Sequence, residues 1–111
     1  MTTRKCRSPI DADRLKQDVQ WWASRIGVQP KRVQVQLMTK KWASCSTAGR
    51  IYLSADLLLE ETGFRDVVIV HELLHLQVPN HGKLFKSLMK AFLPQWEEIE
   101  TGRISGLCRY Q

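Results

Sequence analysis

The chain has 111 residues and a mass of 12.9 kDa, enough for one domain with a modest hydrophobic core. Its 43% hydrophobic and 25% charged residues are typical of a soluble globular protein and exclude a disordered one. No apolar run approaches the roughly eighteen residues that a membrane span needs, and no apolar signal core follows the basic start. We therefore expect a cytoplasmic protein without membrane contact.

The net charge bears on nucleic-acid binding, and the spacing of the cysteines bears on disulfides and cysteine metal sites. A net charge of +6 permits weak nucleic-acid contact through a basic surface, but the lysines and arginines are scattered, which is more typical of a solvated surface. Cys6, Cys45 and Cys108 form no C-x-x-C pair. This pattern argues against a disulfide framework or a cysteine zinc finger and favours reduced thiols.

The first half of the chain predicts one helix and a small sheet. After a loose arm over residues 1–10, Asp11 or Asp13 can cap a helix that Gly27 ends. Its apolar stripe repeats every three or four residues, at Leu15, Val19, Trp22 and Ile26. Alternating residues then predict strands, over 33–38 and 50–54. We expect an antiparallel sheet whose last strands form a hairpin around Gly49.

The second half is predicted to be helical. A short helical turn, a long buried helix, an amphipathic helix and an acidic last helix are expected over residues 56–61, 64–77, 81–93 and 95–100. Pro79 stops the buried helix, Asn80 can cap the next one, and Pro94 ends that helix. Residues 102–111 are expected to form a tail.

All three histidines of the chain lie in one stretch, as H-E-x-x-H and a third histidine six positions on. At about 100° per helical residue, His71 and His75 lie one turn apart, with Glu72 beside them. This geometry suits two nitrogen ligands on one metal ion and a carboxylate that reaches a water molecule there. Without a shared metal, two buried imidazoles would each need another partner. The spacing therefore predicts a metal site.

The third ligand is inferred from the turn that follows. A reverse turn of about five residues brings His81 back toward the pair, so His81 is favoured. A catalytic zinc keeps three protein ligands and one open position, so one Zn²⁺ per chain is expected. Glutamate takes the third place in another branch of zinc peptidases, which keeps an alternative open at Glu97, Glu98 and Glu100. Glu72 would act as general base in peptide-bond hydrolysis.

Three separate motifs resemble one known family. They are Lys-Trp-Ala-Ser-Cys-Ser with a following Gly-x-Ile, His-Glu-Leu-x-His-Leu, and Asn-His-x-x-x-Phe, over residues 41–51, 71–76 and 80–85. Together they resemble the YgjP-like metal-dependent hydrolases, which are related to the SprT-like and minigluzincin metallopeptidases. The resemblance implies a zincin-like α+β single domain over residues 1–111, with a small antiparallel sheet packed against the H-E-x-x-H helix and flanking helices.

The same resemblance implies roles for individual residues. It implies zinc at His71, His75 and His81, Glu72 as general base, and a peptide or protein substrate lying as an added strand along a sheet edge. The expected substrate contacts come from the 42–53 segment, at Trp42, Ser44, Ile51, Tyr52 and Leu53. Alanine at position 43 and glycine at position 82 replace the family's usual glycine and serine, so substrate specificity does not carry over.

Several roles stay open at this point. The resemblance does not settle which group stabilises the oxyanion: Tyr52, Arg109 and Tyr110 are candidates because of their polar tips, and ordinary packing or surface positions are the alternative. Cys45 is not expected to be a nucleophile, because its segment offers no helix N-terminus or adjacent base. A thiolate of Cys108 that folds back to the open zinc position is a hypothesis for a latent enzyme.

Two other functions compete with a zinc metallopeptidase. One is a basic nucleic-acid-associated protein, including a DNA-associated SprT-like protease, for which DNA binding would fall steeply with salt. The other is a non-catalytic zinc-binding domain. Structural zinc sites usually fill all four positions, so three histidines beside a glutamate favour the enzyme.

Overall fold

The structure is a computed structural model that describes residues 10–101. The remaining residues of the N-terminal arm and the tail over 102–111 lie outside the described residues. Between them lie, in chain order, α1 Ala12–Ile26, β1 Arg32–Gln36, β2 Ala43–Cys45, β3 Arg50–Ser54, a 3-10 helix Ala55–Leu59, α2 Thr62–Leu74, α3 Lys83–Phe92 and α4 Trp96–Thr101. This is the expected α+β architecture of helices around one small sheet.

Helix α1 forms as its sequence predicts. Of the two candidate caps, Asp11 lies at the N-cap, and its Oδ1 accepts a hydrogen bond of 2.8 Å from the backbone N–H of Arg14. Gly27 ends the helix in the left-handed region, with φ of 88°. Of the predicted apolar stripe, Leu15, Val19 and Trp22 are buried and Ile26 is partly buried, and Ala23 is buried beside them.

The sheet has the strand order β1-β3-β2, and its orientation is mixed. Strands β2 and β3 form the antiparallel hairpin expected around Gly49, which has φ of 89°. Strand β1 pairs with β3 in parallel, so the prediction of a wholly antiparallel sheet was wrong. After β1 the chain crosses to the far edge of the sheet, where it forms β2. It then turns back and forms β3 between β1 and β2. With three residues, β2 is too short to show an alternation in the sequence.

Strand pairing decides which side chains reach the core. Ile51 and Leu53 of the central strand are buried, with exposed fractions of 1% and 0%. Directly paired residues share a face of a sheet, so Ala43, opposite Leu53, and Cys45, opposite Ile51, point toward the same side. The hairpin thus presents alternate residues of β2 to the helical layer.

Helix α2 lies at the centre of the molecule and packs against α1, α3, α4 and β2. It is apolar on most sides, and its hydrophobic residues are buried, at Phe64, Val67, Val68, Ile69, Val70, Leu73 and Leu74. The helix ends earlier than predicted, because its last turn tightens and the His75 N–H bonds the Glu72 carbonyl at 3.1 Å. No helix between residues 10 and 101 has the length and hydropathy of a membrane span.

Candidate metal centre and active-site cleft

Three imidazoles converge where α2 ends and α3 begins. His71 lies in the last turns of α2, His75 is its C-cap, and His81 precedes the N-cap of α3. One ring nitrogen from each lies within 4.8 Å of the other two. Their ring centroids are separated by 4.7, 4.9 and 4.7 Å. The structure therefore brings together the three histidines that the sequence singles out.

The turn between the helices is held by short local hydrogen bonds. The Val78 N–H donates to the Leu74 carbonyl at 2.7 Å, and the Gly82 N–H donates to Asn80 Oδ1 at 3.1 Å. Asn80 thus closes the turn, while Gly82, rather than Asn80 as predicted, is the N-cap of α3. These bonds place His81 over the end of α2.

Phe85 supports all three rings from below. It is 2% exposed, and its ring centroid lies 5.1, 5.0 and 4.9 Å from those of His71, His75 and His81. The sequence analysis has Phe85 at the end of the Asn-His-x-x-x-Phe motif but gives it no role at the site. Its position one turn after His81 was the signal for a direct contact with the histidines.

Hydrogen bonds orient two of the side chains. His75 Nδ1 lies 3.2 Å from the Val78 carbonyl oxygen, which can only accept, so Nδ1 carries the proton and Nε2 carries the lone pair. This Nε2 lies 3.0 Å from His81 Nε2. On the other side, His71 Nδ1 lies 3.1 Å from Glu72 Oε2, and both side chains are buried.

The donor set fits a zinc ion. Two nitrogens bound at about 2.0–2.1 Å to a tetrahedral zinc lie about 3.3 Å apart, so shifts of roughly 1.5 Å or less bring all three to ligand distances. Burial, followed by the charge of His71, lowers the pKa of His75. Burial, followed by His75, likewise lowers the pKa of His81. Both rings therefore stay neutral near pH 7, the form that binds metals.

A cleft of about 340 Å³ opens over the histidines. Its walls are the β2 segment and the end of α2 with the following turn, lined by Lys41, Ala43, Ser44, Cys45, Ser46, Thr47, His71, Glu72, His75, Pro79 and His81. Within the described part of the chain, β2 pairs only with β3, so its other edge is open for another strand.

The five residues predicted to contact the substrate lie in different environments. Of them, Ser44 alone lines the cleft. Ile51 and Leu53 lie in the core on the central strand, and Trp42 is 5% exposed, with its ring 5.1 Å from that of Phe64. Tyr52 is half-buried on β3. Within the 42–53 segment the open edge is therefore that of β2, because β3 is flanked by β1 on one side and β2 on the other.

The remaining candidates fall outside the histidine group or outside the described residues. Glu97 and Glu98 are exposed on α4 and do not belong to the metal-binding group. The side chain of Glu100 and the tail residues lie outside the described part, which leaves untested the hypotheses on Cys108, Arg109 and Tyr110.

Cys45 lines the cleft as a protonated thiol. Burial, followed by the negative charge of Glu72, raises its pKa to about 11. Its Sγ donates to the Ser46 carbonyl at 3.6 Å. A thiol with such a pKa is almost wholly protonated at pH 7, which agrees with the prediction that Cys45 is not a nucleophile.

Comparison with known proteins identifies the family. In a solved structure, "Crystal structure of the metallopeptidase zymogen of Pyrococcus abyssi abylysin", the similar chain has 22% sequence identity and a TM-score of 0.75. The similarity covers 87% of this chain and 98% of that one, and it shows a shared fold. The sequence has no match among curated proteins. The family model described as "YgjP-like, metallopeptidase domain" matches residues 8–102, which include the three motifs and every histidine. The chain therefore belongs to the YgjP-like metallopeptidase domain family.

Proposed function

We propose that this protein is a zinc-dependent peptidase in which His71, His75 and His81 bind one zinc ion per chain and Glu72 is the general base. The observation that carries the proposal is the convergence of the three imidazole nitrogens within 4.8 Å. Glu72 lies beside them in the same cleft. Membership of a metallopeptidase family supports a peptidase that uses a metal ion.

Each residue has a distinct task in this proposal. Zinc, when bound, polarises the substrate carbonyl and lowers the pKa of water. Glu72 takes up the proton of the attacking water and passes it to the leaving nitrogen as the peptide bond breaks. The N–H of His71, 3.1 Å from Glu72 Oε2, holds that carboxylate in position. Phe85 keeps the three rings together from below.

The substrate is proposed to be a peptide or protein segment that extends along the open edge of β2. An added strand gains hydrogen bonds from the backbone of β2, whatever its side chains are. The cleft lies between this edge and the histidines, so a peptide bond held there faces Glu72. Ser44 stays the one predicted side-chain contact that lines the cleft.

The metal-binding part is tested by elemental analysis of the purified protein. We expect about one zinc per wild-type chain and a loss of zinc affinity of at least tenfold in His81→Ala. Glu97→Gln is the matched control, because Glu97 is an exposed residue of α4 outside the histidine group. Full zinc in His81→Ala, with loss in Glu97→Gln, would move the third ligand to α4.

The catalytic part is tested by digesting a proteome-derived peptide mixture and identifying the cleaved bonds by mass spectrometry. Removal of a general base costs about 10²- to 10⁴-fold in rate, so Glu72→Gln should retain zinc and lose nearly all cleavage. A zinc-loaded wild type that cleaves nothing would instead indicate a non-catalytic zinc domain. If such a protein bound DNA with a steep salt dependence, the nucleic-acid function would replace the peptidase.

The abylysin structure is described as that of a zymogen. By analogy, we propose that residues 102–111 restrain the activity of this chain, with the thiolate of Cys108 directed to the zinc. Truncation after Thr101 and the substitution Cys108→Ser should both raise the cleavage rate of the zinc-loaded protein. Equal rates for the full chain and the truncated chain would refute this restraint.

A further inference from the structure

A second cavity, of about 210 Å³, lies between α1 and the first turns of α2. No residue of its lining belongs to the histidine cleft. Asp66, which lines it, precedes His71 by five residues, so the two side chains leave α2 about 7.5 Å apart along its axis and about 140° apart around it. The cavity is therefore separate from the candidate metal centre. Its lining consists of Arg14, Asp18, Trp21, Trp22, Thr62 and Asp66.

Two indole rings form adjoining walls of this cavity. The ring centroids of Trp21 and Trp22 are 4.9 Å apart, and the ring planes are perpendicular. Trp22 is buried, whereas Trp21 is half exposed at the edge of the cavity. The guanidinium of Arg25, outside the lining, lies 4.6 Å from the centre of the Trp21 ring. The indole of Trp21 thus already contacts one cation of the chain, as the electron-rich face of an aromatic ring favours.

Asp66 places a carboxylate against these rings without a cation to balance it. Its Oδ1 accepts a hydrogen bond of 3.1 Å from Trp22 Nε1. The neighbouring Arg65 points elsewhere, because its guanidinium donates to the Glu60 carbonyl and to the Thr62 hydroxyl. Within residues 10–101, Asp66 therefore forms no ion pair. A half-buried carboxylate of this kind gains from a cation that enters the cavity.

Asp18 adds a second carboxylate on the side of α1. Its Oδ1 lies 3.2 Å from Arg14 Nε, and the Arg14 side chain is 58% exposed. A single contact to an exposed side chain makes a weak ion pair. With Asp18 and Asp66 against Arg14, the lining has one negative charge in excess. The described contacts of both carboxylates use Oδ1, so their Oδ2 atoms can accept from a ligand.

We propose that this cavity binds an arginine side chain presented by another protein. Ligand pockets for drug-sized molecules run to about 300–1,000 Å³, so a smaller cavity suits a single side chain. A guanidinium is planar, stacks on an indole and donates from separate edges, which allows contacts to Asp18 and Asp66 together. The half-exposed Trp21 would be covered by the protein that supplies the arginine, as tryptophans at interfaces commonly are. The proposal does not depend on the peptidase function.

The test follows the tryptophan indole N–H resonances of the full chain by NMR, because the Trp22 N–H lies inside the proposed site. The probe is a capped pentapeptide with one arginine between alanines. The matched probes carry citrulline, which has the same shape without the charge, or lysine. We expect the Trp21 and Trp22 resonances to shift with a Kd on the order of 1 mM, and those of Trp42 and Trp96 to stay. The citrulline peptide should bind at least about threefold more weakly, and the lysine peptide should fall between the two.

Substitutions locate the binding on the two carboxylates. Asp66→Asn and Asp18→Asn should each weaken binding of the arginine peptide about two- to tenfold. Asp13→Asn is the matched control, because Asp13 is an exposed carboxylate of α1 outside the cavity. Unchanged resonances of Trp42 and Trp96 in each variant show that the fold is retained.

Equal affinity for the arginine and citrulline peptides overturns the proposal, as does equal affinity in Asp66→Asn, Asp18→Asn and Asp13→Asn. Equal affinity for lysine and arginine overturns the assignment to a guanidinium. The chain also has basic residues of its own before α1. Shifts of the Trp21 and Trp22 resonances in the combined variant Arg4→Gln, Lys5→Gln and Arg7→Gln, measured without peptide, would assign the cavity to the same chain and overturn an external partner.

Discussion

The side chain of Phe85 contacts all three histidines of the proposed metal site. Replacing a buried phenylalanine by alanine typically costs about 3–5 kcal/mol of stability, and here it also removes the surface against which three imidazoles pack. We expect Phe85→Ala to unfold at lower denaturant and to bind zinc more weakly. Phe85→Leu keeps most of the volume and should lose less than half as much.

The readouts are urea unfolding and zinc affinity, measured on the same preparations. Met89→Ala is the control, because Met89 is a fully buried residue of the same helix, one turn after Phe85 and two turns after His81. If both alanine variants lost stability but bound zinc equally well, Phe85 would be a core residue without a role at the metal site.

Asp66 gives the stability a testable pH dependence. Its carboxylate accepts a hydrogen bond of 3.1 Å from Trp22 Nε1. Burial raises its pKa, the Trp22 hydrogen bond opposes this, and nearby Asp18 raises it further. A raised pKa means that folding favours the protonated acid. The stability that protonated Asp66 contributes is therefore fully present below the pKa of this group in the unfolded chain, about 3.9. It is lost as the pH rises through the higher pKa of Asp66 in the folded protein.

Asp66→Asn keeps an acceptor oxygen for Trp22 and removes the charge. We expect this variant to melt at a higher temperature than the wild type at pH 7, with the difference shrinking as the pH falls toward 4. Asp66→Ala, which removes the acceptor as well, should be less stable than Asp66→Asn at every pH. A constant difference in Tm between Asp66→Asn and the wild type across this range would contradict the shift.

At the scale of elements, the two glycines with positive φ allow a matched comparison. Gly27 and Gly49 have φ of 88° and 89°, but a Cβ at Gly27 would meet nothing within 4 Å, whereas one at Gly49 would lie 3.3 Å from Lys31 Cγ. Alanine in this region costs roughly 1–2 kcal/mol of backbone strain. In urea unfolding, Gly49→Ala should therefore lower the free energy of unfolding at least as much as Gly27→Ala does.

Gly49 also lies in the turn that positions β2 along the cleft. We therefore expect Gly49→Ala to raise the KM for peptides, while Gly27→Ala leaves KM unchanged. Equal KM values in both variants would show that the hairpin turn does not control the open edge.

The helices could be predicted from sequence because each has a strong local signal. Helix α1 combines an N-cap, a stripe and a terminal glycine, and α2 is apolar on most sides. The sheet was less predictable. Strand β2 has three residues, and the parallel pairing of β1 depends on a crossing that no local pattern records. The edge of the sheet was therefore expected too broadly, over the whole 42–53 segment.

The candidate site was predictable to a different extent. Its three histidines lie within eleven residues, so helical geometry and one turn suffice to bring them together. The wall opposite the histidines comes from β2, which is distant from them in sequence. Which β2 side chains point toward the cleft depends on the pairing of β2 with β3. The burial of Ile51 and Leu53 could be read from their alternation, but their place on the central strand could not.

At the scale of the whole molecule, the proposed metal joins the start of α3 to the end of α2. Helix α3 buries two residues, Phe85 and Met89, whereas ten residues of α2 are buried. Without the metal, we expect α3 to open first, because a helix with few buried contacts has low local stability. Removal of zinc by a chelator should therefore lower Tm and speed amide hydrogen exchange in α3 more than in α1.

Exchange mass spectrometry of the zinc-loaded and chelator-treated protein measures this effect. Bound zinc stabilises the folded state by about 2.7 kcal/mol when its free concentration is a hundred times its Kd. The wild type should lose this increment on chelation, and His81→Ala should lose clearly less, because its zinc affinity is at least tenfold lower. Uniform acceleration over all helices would indicate that the ion supports the entire core instead of one helix.

The placement of every proposed ligand between residues 71 and 81 has a consequence for how the site can change over time. A metal that links these positions closes a loop of about ten residues, for which the length-dependent entropy cost is only about 2 kcal/mol. Metal affinity is therefore set almost entirely by one helix–turn–helix segment. The hairpin that faces it contributes no ligand of the group, so its sequence is free to vary without loss of the ion. New substrate preferences can accordingly arise in β2 while the metal centre is inherited unchanged.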